Sequence, residues 1–391
     1  MKNVHKKVPS LVLIIVLVGF PQISESIFTP VLPALSVGMQ VTPATTQLTM
    51  SSYFVAFAFG VVFWGYWADR LGRRWAMLAG IGVYLLGNIG LLLAPNFQWL
   101  LAARLVQAFG ASTGSVVTQT IMRESFAGVT GAQVFAKVSA AMALSPALGP
   151  FIGGLAQTYF GVRGVFGTLI GMATVILLYA GARLPETRPA NLVLPASSLG
   201  PLLKRLLTDR TVWVYGLLIA GVNGILFSYY AEAPFIFVNH FQLSPLVYGA
   251  LGLVLAGASL GGALAVDFLV LHCSPVQVAR LGLGVALVSS GFFLAMSAID
   301  SLWGMIFGIF WVFLGLNVTL PIALNRALIG YEQVMGRASG LFSFGYYLLI
   351  SALTYVMSLL HTGAITQLPI FMVAVIAVMA GAYWRLNRHS S

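Results

Sequence analysis

The chain has 391 residues, 59% of them hydrophobic, and a mean hydropathy of +0.95. No water-soluble domain buries so much apolar surface, so these values predict an integral membrane protein. The net charge is +11, but the basic residues lie between apolar runs and form no patch, which excludes a nucleic-acid-binding protein. The single cysteine, Cys273, excludes an intrachain disulfide.

The first apolar stretch could be mistaken for a secretory signal, because Lys2, Lys6 and Lys7 precede an apolar run over 8–20. No Ala-x-Ala cleavage site follows, and the apolar character continues past Pro30. We therefore expect a first membrane helix that stays attached.

Apolar runs of about twenty residues continue along the chain, which favours membrane-spanning helices over a barrel. We predict an all-α membrane protein with twelve transmembrane helices: 9–34, 48–67, 75–94, 98–118, 134–156, 164–183, 212–236, 246–269, 279–298, 302–324, 337–360 and 365–385. The longest loop, 184–211, is rich in proline and basic residues. It predicts a cytoplasmic linker between a six-helix half over 1–183 and a second half over 212–391.

Charge distribution predicts the orientation. With the N-terminus in the cytoplasm, cytoplasmic segments contain 18 of the 20 basic residues. Arg163 alone lies outside, and Arg104 lies within a helix. Both termini are therefore expected on the cytoplasmic side.

The loop after the second run reads Gly65-Tyr-Trp-Ala-Asp69-Arg70-Leu-Gly72-Arg73-Arg74. Gly72 permits a tight turn, and the arginines would hold it in the cytoplasm. An ordinary positive-inside loop explains the arginines but not Asp69, which contributes nothing to orientation.

This stretch resembles the signature loop of the major facilitator superfamily. The resemblance implies two six-helix halves around a central site. It also implies a conformational latch, in which Asp69 faces the start of helix eleven near Gly336 and Arg337. Arg73 would pair with Glu124 in the same latch, and the links would hold the outward-open state. The implied latch residues are Gly65, Asp69, Arg70, Gly72, Arg73, Arg74 and Glu124.

Two charges are expected well inside the membrane. At about 1.5 Å per residue, Glu25 lies roughly 24 Å from the cytoplasmic face and Arg104 about 9 Å from the outer face. The same estimate puts Glu232 at the outer surface. Glu25 and Arg104 could form an inert ion pair, or Glu25 could carry protons, since burial and a nearby cation act on its protonation in opposite directions.

The segment 21–33, with Glu25 before Leu32-Pro33, resembles the first helix of Bcr/CflA-type drug:proton antiporters, although Glu replaces the more usual Asp. Arg104-Leu-Val-Gln107-Ala-Phe-Gly110 resembles their proton-coupling motif in helix four. The segment 143–154 resembles their helix-five antiporter motif, which implies packing that seals the outer side. The helix-five residues concerned are Pro146, Gly149, Pro150, Gly153 and Gly154. The prolines are expected to bend this helix, and a tightly packed kinked helix without a transport role is the alternative.

Polar and aromatic residues in helices two and seven are candidates for lining a substrate cavity, although most aromatic residues in such a chain face lipid or pack. Those candidates are Tyr53, Phe57, Asn223, Tyr229 and Tyr230.

No enzyme is predicted. The five histidines lack metal-ligand spacing, and no Gly-x-x-x-x-Gly-Lys motif is present. We expect no cofactor, a proton gradient as the energy source, and a monomer in the bacterial inner membrane. The leading hypothesis is proton-driven export of small amphipathic compounds. The alternatives are a dedicated exporter of one metabolite such as a siderophore, an importer of the same superfamily, and a receptor or scaffold with a transporter fold.

Overall fold

The computed structural model describes residues 8–126, 128–142, 144–188, 199–331 and 334–388. Lys2, Lys6 and Lys7 fall outside these ranges, as do two of the four prolines of the predicted linker, Pro189 and Pro195. The described residues fold into helices and turns alone. The α-helices are α1 (Leu11–Ser26), α2 (Leu32–Gly38), α3 (Pro43–Leu71), α4 (Arg73–Leu92), α5 (Phe97–Ser125), α6 (Gly128–Met142), α7 (Ser145–Arg183), α8 (Leu199–Thr208), α9 (Arg210–Pro234), α10 (Pro245–Ala250), α11 (Gly252–Leu269), α12 (Pro275–Ala298), α13 (Leu302–Arg326), α14 (Met335–Leu360) and α15 (Gln367–Asn387).

Eleven helical stretches of the described residues are long and apolar enough to cross a membrane. One of them, Ala147–Arg183, has 37 residues, about 55 Å of helix, which is too long for a core of about 30 Å. Gly161 interrupts it with φ 67° and ψ −167°. A Cβ placed on Gly164 would lie 3.1 Å from the carbonyl oxygen of Ala156. In a straight helix these residues would be about two turns apart, so the chain folds back at Gly161. The long stretch therefore has two arms.

Most helices begin or end a few residues beyond the predicted apolar runs. Helix α3 starts at Pro43 instead of residue 48, although polar residues lower the hydropathy of this first turn. The Thr42 side chain accepts a hydrogen bond from the Thr45 backbone, and Pro43 stands in the first turn. Both features start a helix without apolar side chains, which explains why hydropathy placed the boundary too late.

The first span is interrupted near its end by prolines. Pro21 lies inside α1, and Thr29–Val31 forms a single 3₁₀ turn before α2. Because proline lacks the N–H that a helix interior needs, the axis bends there. A Cβ on Gly114 of α5 would lie 2.7 Å from the Leu17 carbonyl oxygen. The absence of a side chain on Gly114 thus lets α5 approach the bent segment of α1 closely.

We call the side on which α1 begins and α15 ends the terminal side, and the opposite side the far side. The halves before and after the linker contact each other mainly through α3 with α14 and α7 with α10. Ser351 of α14 donates a hydrogen bond to the Ser51 carbonyl oxygen of α3 at 2.7 Å. Ser51 lies in the far-side half of α3, so this contact closes the far side.

The predicted linker contains a helix, α8, before Arg210. Arg205 donates to the Gly330 carbonyl oxygen at 3.0 Å and lies 4.3 Å from the centre of the Tyr331 ring. Tyr331 in turn donates to Asp209 at 3.0 Å. The end of the linker is therefore attached to the C-terminal half.

Candidate functional site

A cavity of about 580 Å³ lies between the two halves. On the N-terminal half it extends along α5 to Met122, and on the C-terminal half along α13 to Leu324. Both residues lie within the last turn of their helices, at the terminal side. Because the two halves are in contact on the far side, the cavity opens toward the terminal side. Neutral polar residues in its lining are Gln22, Ser26, Ser115, Gln119, Ser139, Ser145, Asn223, Tyr230, Ser259, Asn317, Tyr346 and Tyr347.

Glu25 is the acidic residue in this lining. It follows Pro21 by one helical turn and is 6% exposed. Its neighbours in the cavity wall, Gln22 and Ser26, are polar, and Ser145 donates a hydrogen bond to Gln22. The bend at Pro21 and the close approach at Gly114 thus position a carboxyl group against the cavity.

Arg104 is fully buried in α5, behind the cavity wall. Its guanidinium lies between two aromatic rings, 4.4 Å from the centre of Phe28 and 4.3 Å from that of Tyr53. Nη1 donates to the Gln107 side chain and lies 3.5 Å from the Ser24 carbonyl oxygen. Such cation–π contacts stabilise a desolvated cation.

Among the described residues, no ion pair joins Arg104 to Glu25. The inert ion pair considered for these residues is therefore absent. Instead, Arg104 reaches the backbone of Ser24, directly before Glu25. Its Nε and Nη2 atoms have no hydrogen-bond partner among the described residues. A buried cation with unused donors therefore lies next to the helical turn that carries the carboxyl group.

Three of the five predicted cavity residues line the cavity: Phe57, Asn223 and Tyr230. Tyr53 does not, because its ring covers Arg104 and stacks on Phe57 at 5.8 Å. Tyr229 does not either, because it packs against Phe313 with the ring centres 5.6 Å apart. Sequence periodicity places these residues on the helix but does not decide which neighbour each ring meets.

The glycines of the predicted fifth helix lie on α7 and pack against two different elements. Cβ atoms on Gly149 and Gly153 would meet Ser26 and Ile27 of the first span, whereas one on Gly154 would meet the Pro245 carbonyl group of α10. Gly249 of α10 packs in return against the Pro150 carbonyl group. Helix α7 therefore joins the two halves on the far side.

The prolines of this segment have different effects. Pro146 lies in the first turn of α7, where its missing N–H removes no helical hydrogen bond. Pro150 lies inside the helix. The predicted helix 134–156 is thus divided between Met142 and Ser145, directly before Pro146, and of these two prolines only Pro150 lies in a helix interior.

The signature loop folds as a tight turn. Gly72 has φ 105°, a conformation that residues with a Cβ rarely adopt. Arg73 is buried, and its Nη2 atom lies 2.5 Å from Glu124, as the resemblance implied. Its Nη1 atom contacts Asp69 at 3.0 Å. In this conformation Asp69 is 47% exposed and its described ion pair is with Arg73, in its own half.

The remaining residues of the loop make contacts within the loop or with other parts of the N-terminal half. Arg70 lies over the Tyr66 ring, Arg74 donates to the Gly181 carbonyl oxygen, and a Cβ on Gly65 would meet Val116.

Sequence reasoning missed the role of Glu186. Its carboxylate accepts hydrogen bonds from the backbone N–H groups of Arg73 and Arg74 at 2.8 and 3.2 Å. These are free amides at the start of α4, which bears partial positive charge. Glu186 thus caps a helix more than a hundred residues away in sequence.

Glu186→Ala is expected to lower the Tm of the detergent-solubilised protein by several degrees, because it removes this cap. Differential scanning fluorimetry measures the shift. Asp300→Asn, at an exposed carboxylate on the far side, serves as control. Equal Tm values for both variants would show that the cap contributes nothing to stability.

Glu232 contradicts the depth estimate, which placed it at the outer surface. It is 1% exposed, and its carboxylate contacts Nδ1 of His361 at 2.8 Å and Nε2 of Gln47 at 2.5 Å. The position of a residue along its helix predicts its exposure to water only where no other segment covers the end of that helix. Here residues of α3 and of the segment after α14 cover it.

The sequence profile of the Major Facilitator Superfamily matches residues 14–354. The chain belongs to this superfamily. It is 32% identical over 390 residues to an uncharacterized transporter of Rickettsia bellii, covering 97% of this chain and 96% of that protein. It is 28% identical to a chloramphenicol resistance protein of Pseudomonas aeruginosa, covering 90% and 85%. The crystal structure of a D-xylose-proton symporter superposes with a TM-score of 0.75, covering 94% and 96%, at 10% sequence identity.

These findings establish a multi-pass membrane transporter of the major facilitator superfamily and therefore a carrier, not a catalytic enzyme. At 10% identity the likeness to the symporter concerns the fold alone.

Proposed function

We propose that this superfamily member is a proton-driven secondary exporter of the Bcr/CflA drug:proton antiporter type in the bacterial inner membrane. It moves small amphipathic compounds outward by alternating access. The observation that carries the proposal is the position of Glu25, whose carboxyl group lies in the wall of a cavity between the halves. The buried guanidinium of Arg104 lies behind that wall and contacts the backbone of Ser24, the residue before Glu25.

Alternating protonation of Glu25 provides the coupling. A carboxyl group in a water-poor cavity favours its neutral form, whereas a nearby cation favours its charged form. Arg104 has no carboxylate partner among the described residues, so its charge acts on Glu25 without being neutralised by an ion pair. Cargo that enters from the cytoplasm then competes with the proton for the same cavity.

We infer twelve spans with both termini in the cytoplasm. The break at Gly161 divides the longest helical stretch into two arms, which adds one span to the eleven candidates. The terminal side contains Arg70, Arg73, Arg74, Arg123 and Arg183, in agreement with a cytoplasmic location. The cavity then opens to the cytoplasm, where an exporter collects its cargo.

The cavity suits a drug-sized molecule in both volume and lining, because such sites typically span about 300–1,000 Å³. Aromatic rings and neutral amides line it, with one carboxylate. This chemistry favours amphipathic compounds that are neutral or cationic. A relative named a chloramphenicol resistance protein, at 28% identity, supports the same class.

Uptake into everted membrane vesicles tests the proposal. Vesicles that contain the protein should accumulate radiolabelled chloramphenicol or ethidium when respiration acidifies their interior, and a protonophore should release it. Accumulation without a proton gradient, or uptake only into right-side-out vesicles, would contradict proton-driven export. The second outcome would favour an importer.

Asp69→Asn is expected to lower turnover several-fold while apparent affinity for cargo changes less. We propose that Asp69 caps the start of α14 when the terminal side closes, a contact that contributes about 0.3–1 kcal/mol when exposed. Its loss favours the inward-open conformation. Transport kinetics in vesicles measure both parameters. An unchanged maximal rate with reduced affinity would contradict the latch.

A further inference from the structure

Gln47, Glu232 and His361 form a cluster on the far side, which we call the far-side cluster. The Glu232 carboxylate accepts from Nε2 of Gln47 at 2.5 Å and contacts Nδ1 of His361 at 2.9 and 2.8 Å. Gln47 belongs to the N-terminal half, and the other two residues belong to the C-terminal half. The cluster is therefore a polar link between the halves, opposite to the mouth of the cavity.

Burial distinguishes this cluster from a surface ion pair. Glu232 is 1% exposed and His361 9%. Removing a carboxylate from water is costly unless partners compensate it, and here an imidazole and an amide do so. Transport requires the far side to open, and that movement separates Gln47 from the pair and admits water to it.

Few other charges act on the pair. In the far-side halves of the three helices around it, the other described titratable groups are Tyr229 and Tyr230 on α9, Tyr53 on α3, and Tyr355 on α14. His240, just beyond α9, is bound to Asp300 at 2.7 Å on the exposed surface. The charged residues of α3 and α14 lie at the opposite ends of those helices. The described residues of α3, α9 and α14 therefore bring no further charged side chain to the far side.

We propose that Glu232 and His361 form a second proton-binding site, separate from Glu25, which takes protons from the far side and thereby favours opening of that side. This inference rests on the proposed function, since it assumes alternating access in an acid-driven exporter. Protonation of Glu232 replaces a charge-assisted hydrogen bond from Gln47 with a weaker neutral one. The halves are then held together less tightly, so external acid opens the far side.

The energetic consequence follows from hydrogen-bond strengths. The difference between a bond to a charged group and a neutral one corresponds to about a tenfold change in a conformational equilibrium. Where His361 already carries its proton, a further proton on Glu232 leaves a net positive charge on the pair, which burial disfavours. Both effects destabilise the closed far side, so protonation of the pair favours the conformation in which that side is open.

Distances between spin labels test this directly, without transport. Val37 and Val247 are exposed on the far side of opposite halves, so Val37→Cys and Val247→Cys in a Cys273→Ser background provide two labelling sites. Double electron–electron resonance in nanodiscs should show a longer distance that becomes more populated as pH falls from about 8 to about 5, because the coupled imidazole–carboxylate pair takes up protons as a unit. Glu232→Gln should raise that population about tenfold at the higher pH and remove its pH dependence.

Three further variants keep the proposal falsifiable. Asp300→Asn removes the neighbouring surface pair and should leave the pH response intact. Glu25→Gln removes the other proposed proton site and should still leave a pH response of the far-side distance, because the two sites are separate. His361→Gln should weaken the response, and it provides a second test should Glu232→Gln fold poorly.

The outcomes separate the two proposals. A pH response that persists in both Glu232→Gln and His361→Gln, or that disappears in Glu25→Gln alone, overturns the second site and leaves the proposed export function standing. Conversely, a response confined to the far-side cluster in a protein that shows no proton-driven uptake in vesicles supports the site and refutes the proposed function.

Discussion

Glu25→Gln is expected to reduce uphill export to the background of vesicles without the protein. Glutamine preserves the size and hydrogen-bonding capacity of the side chain but cannot take up or release a proton. The variant should still insert in the membrane and still exchange labelled cargo for unlabelled cargo, since exchange requires no net proton movement. Accumulation driven by an imposed proton gradient measures the loss, and counterflow measures what remains.

The control for this variant is Asp300→Asn, which removes an exposed carboxylate on the far side and should retain full accumulation. The loss is expected for Glu25 in particular, because Glu25 is the acidic residue of the cavity lining, whereas Arg104 lies behind the cavity wall. Gradient-driven accumulation by Glu25→Gln at the rate of the unmodified protein would rule out its coupling role. Loss of both accumulation and exchange would indicate instead that Glu25 binds cargo.

Hydropathy was sufficient to predict most of the helices, because the membrane requires long apolar runs regardless of packing. The turn at Gly72 was also predictable, since its neighbours are charged and only glycine adopts that φ easily. Helix boundaries were less accurate. Capping residues such as Thr42 start a helix through backbone hydrogen bonds that hydropathy does not measure.

The depth of a charge along its helix predicted only part of the site. It identified Glu25 and Arg104, which lie within spans and are buried. It failed for Glu232, whose burial comes from Gln47 and His361, residues distant in sequence. No local pattern could have indicated this contact, because it depends on how the two halves meet.

The helix-five glycines illustrate the same division. Their four-residue spacing indicated a small face for close packing, but the partners came only from the tertiary structure. Gly149 and Gly153 face the first span of the same half, whereas Gly154 faces α10 of the other half. One motif therefore serves two interfaces, and only the second one is expected to change during alternating access.

Gly154→Val is expected to reduce export about tenfold or more, because overpacking at a tight backbone contact typically costs about 1–3 kcal/mol. A Cβ at this position would lie 3.1 Å from the Pro245 carbonyl carbon and 3.2 Å from the Leu246 Cα, closer than packed backbone allows. Backbone atoms of α10 cannot move aside as a flexible side chain would. The far side is therefore forced apart, and the inward-open conformation becomes less populated.

Gly171→Val on the same long helix is the matched control, since no atom lies within 4 Å of a Cβ there. It introduces the same β-branched residue into α7 and should leave export unchanged. The spin-label pair on Val37 and Val247 reports the cause, because Gly154→Val should populate the longer far-side distance at every pH. If Gly154→Val lost export while that distance distribution stayed as in Gly171→Val, the glycine would act on the cavity or on folding. Closure of the far side by α7 and α10 would then no longer explain the requirement for glycine.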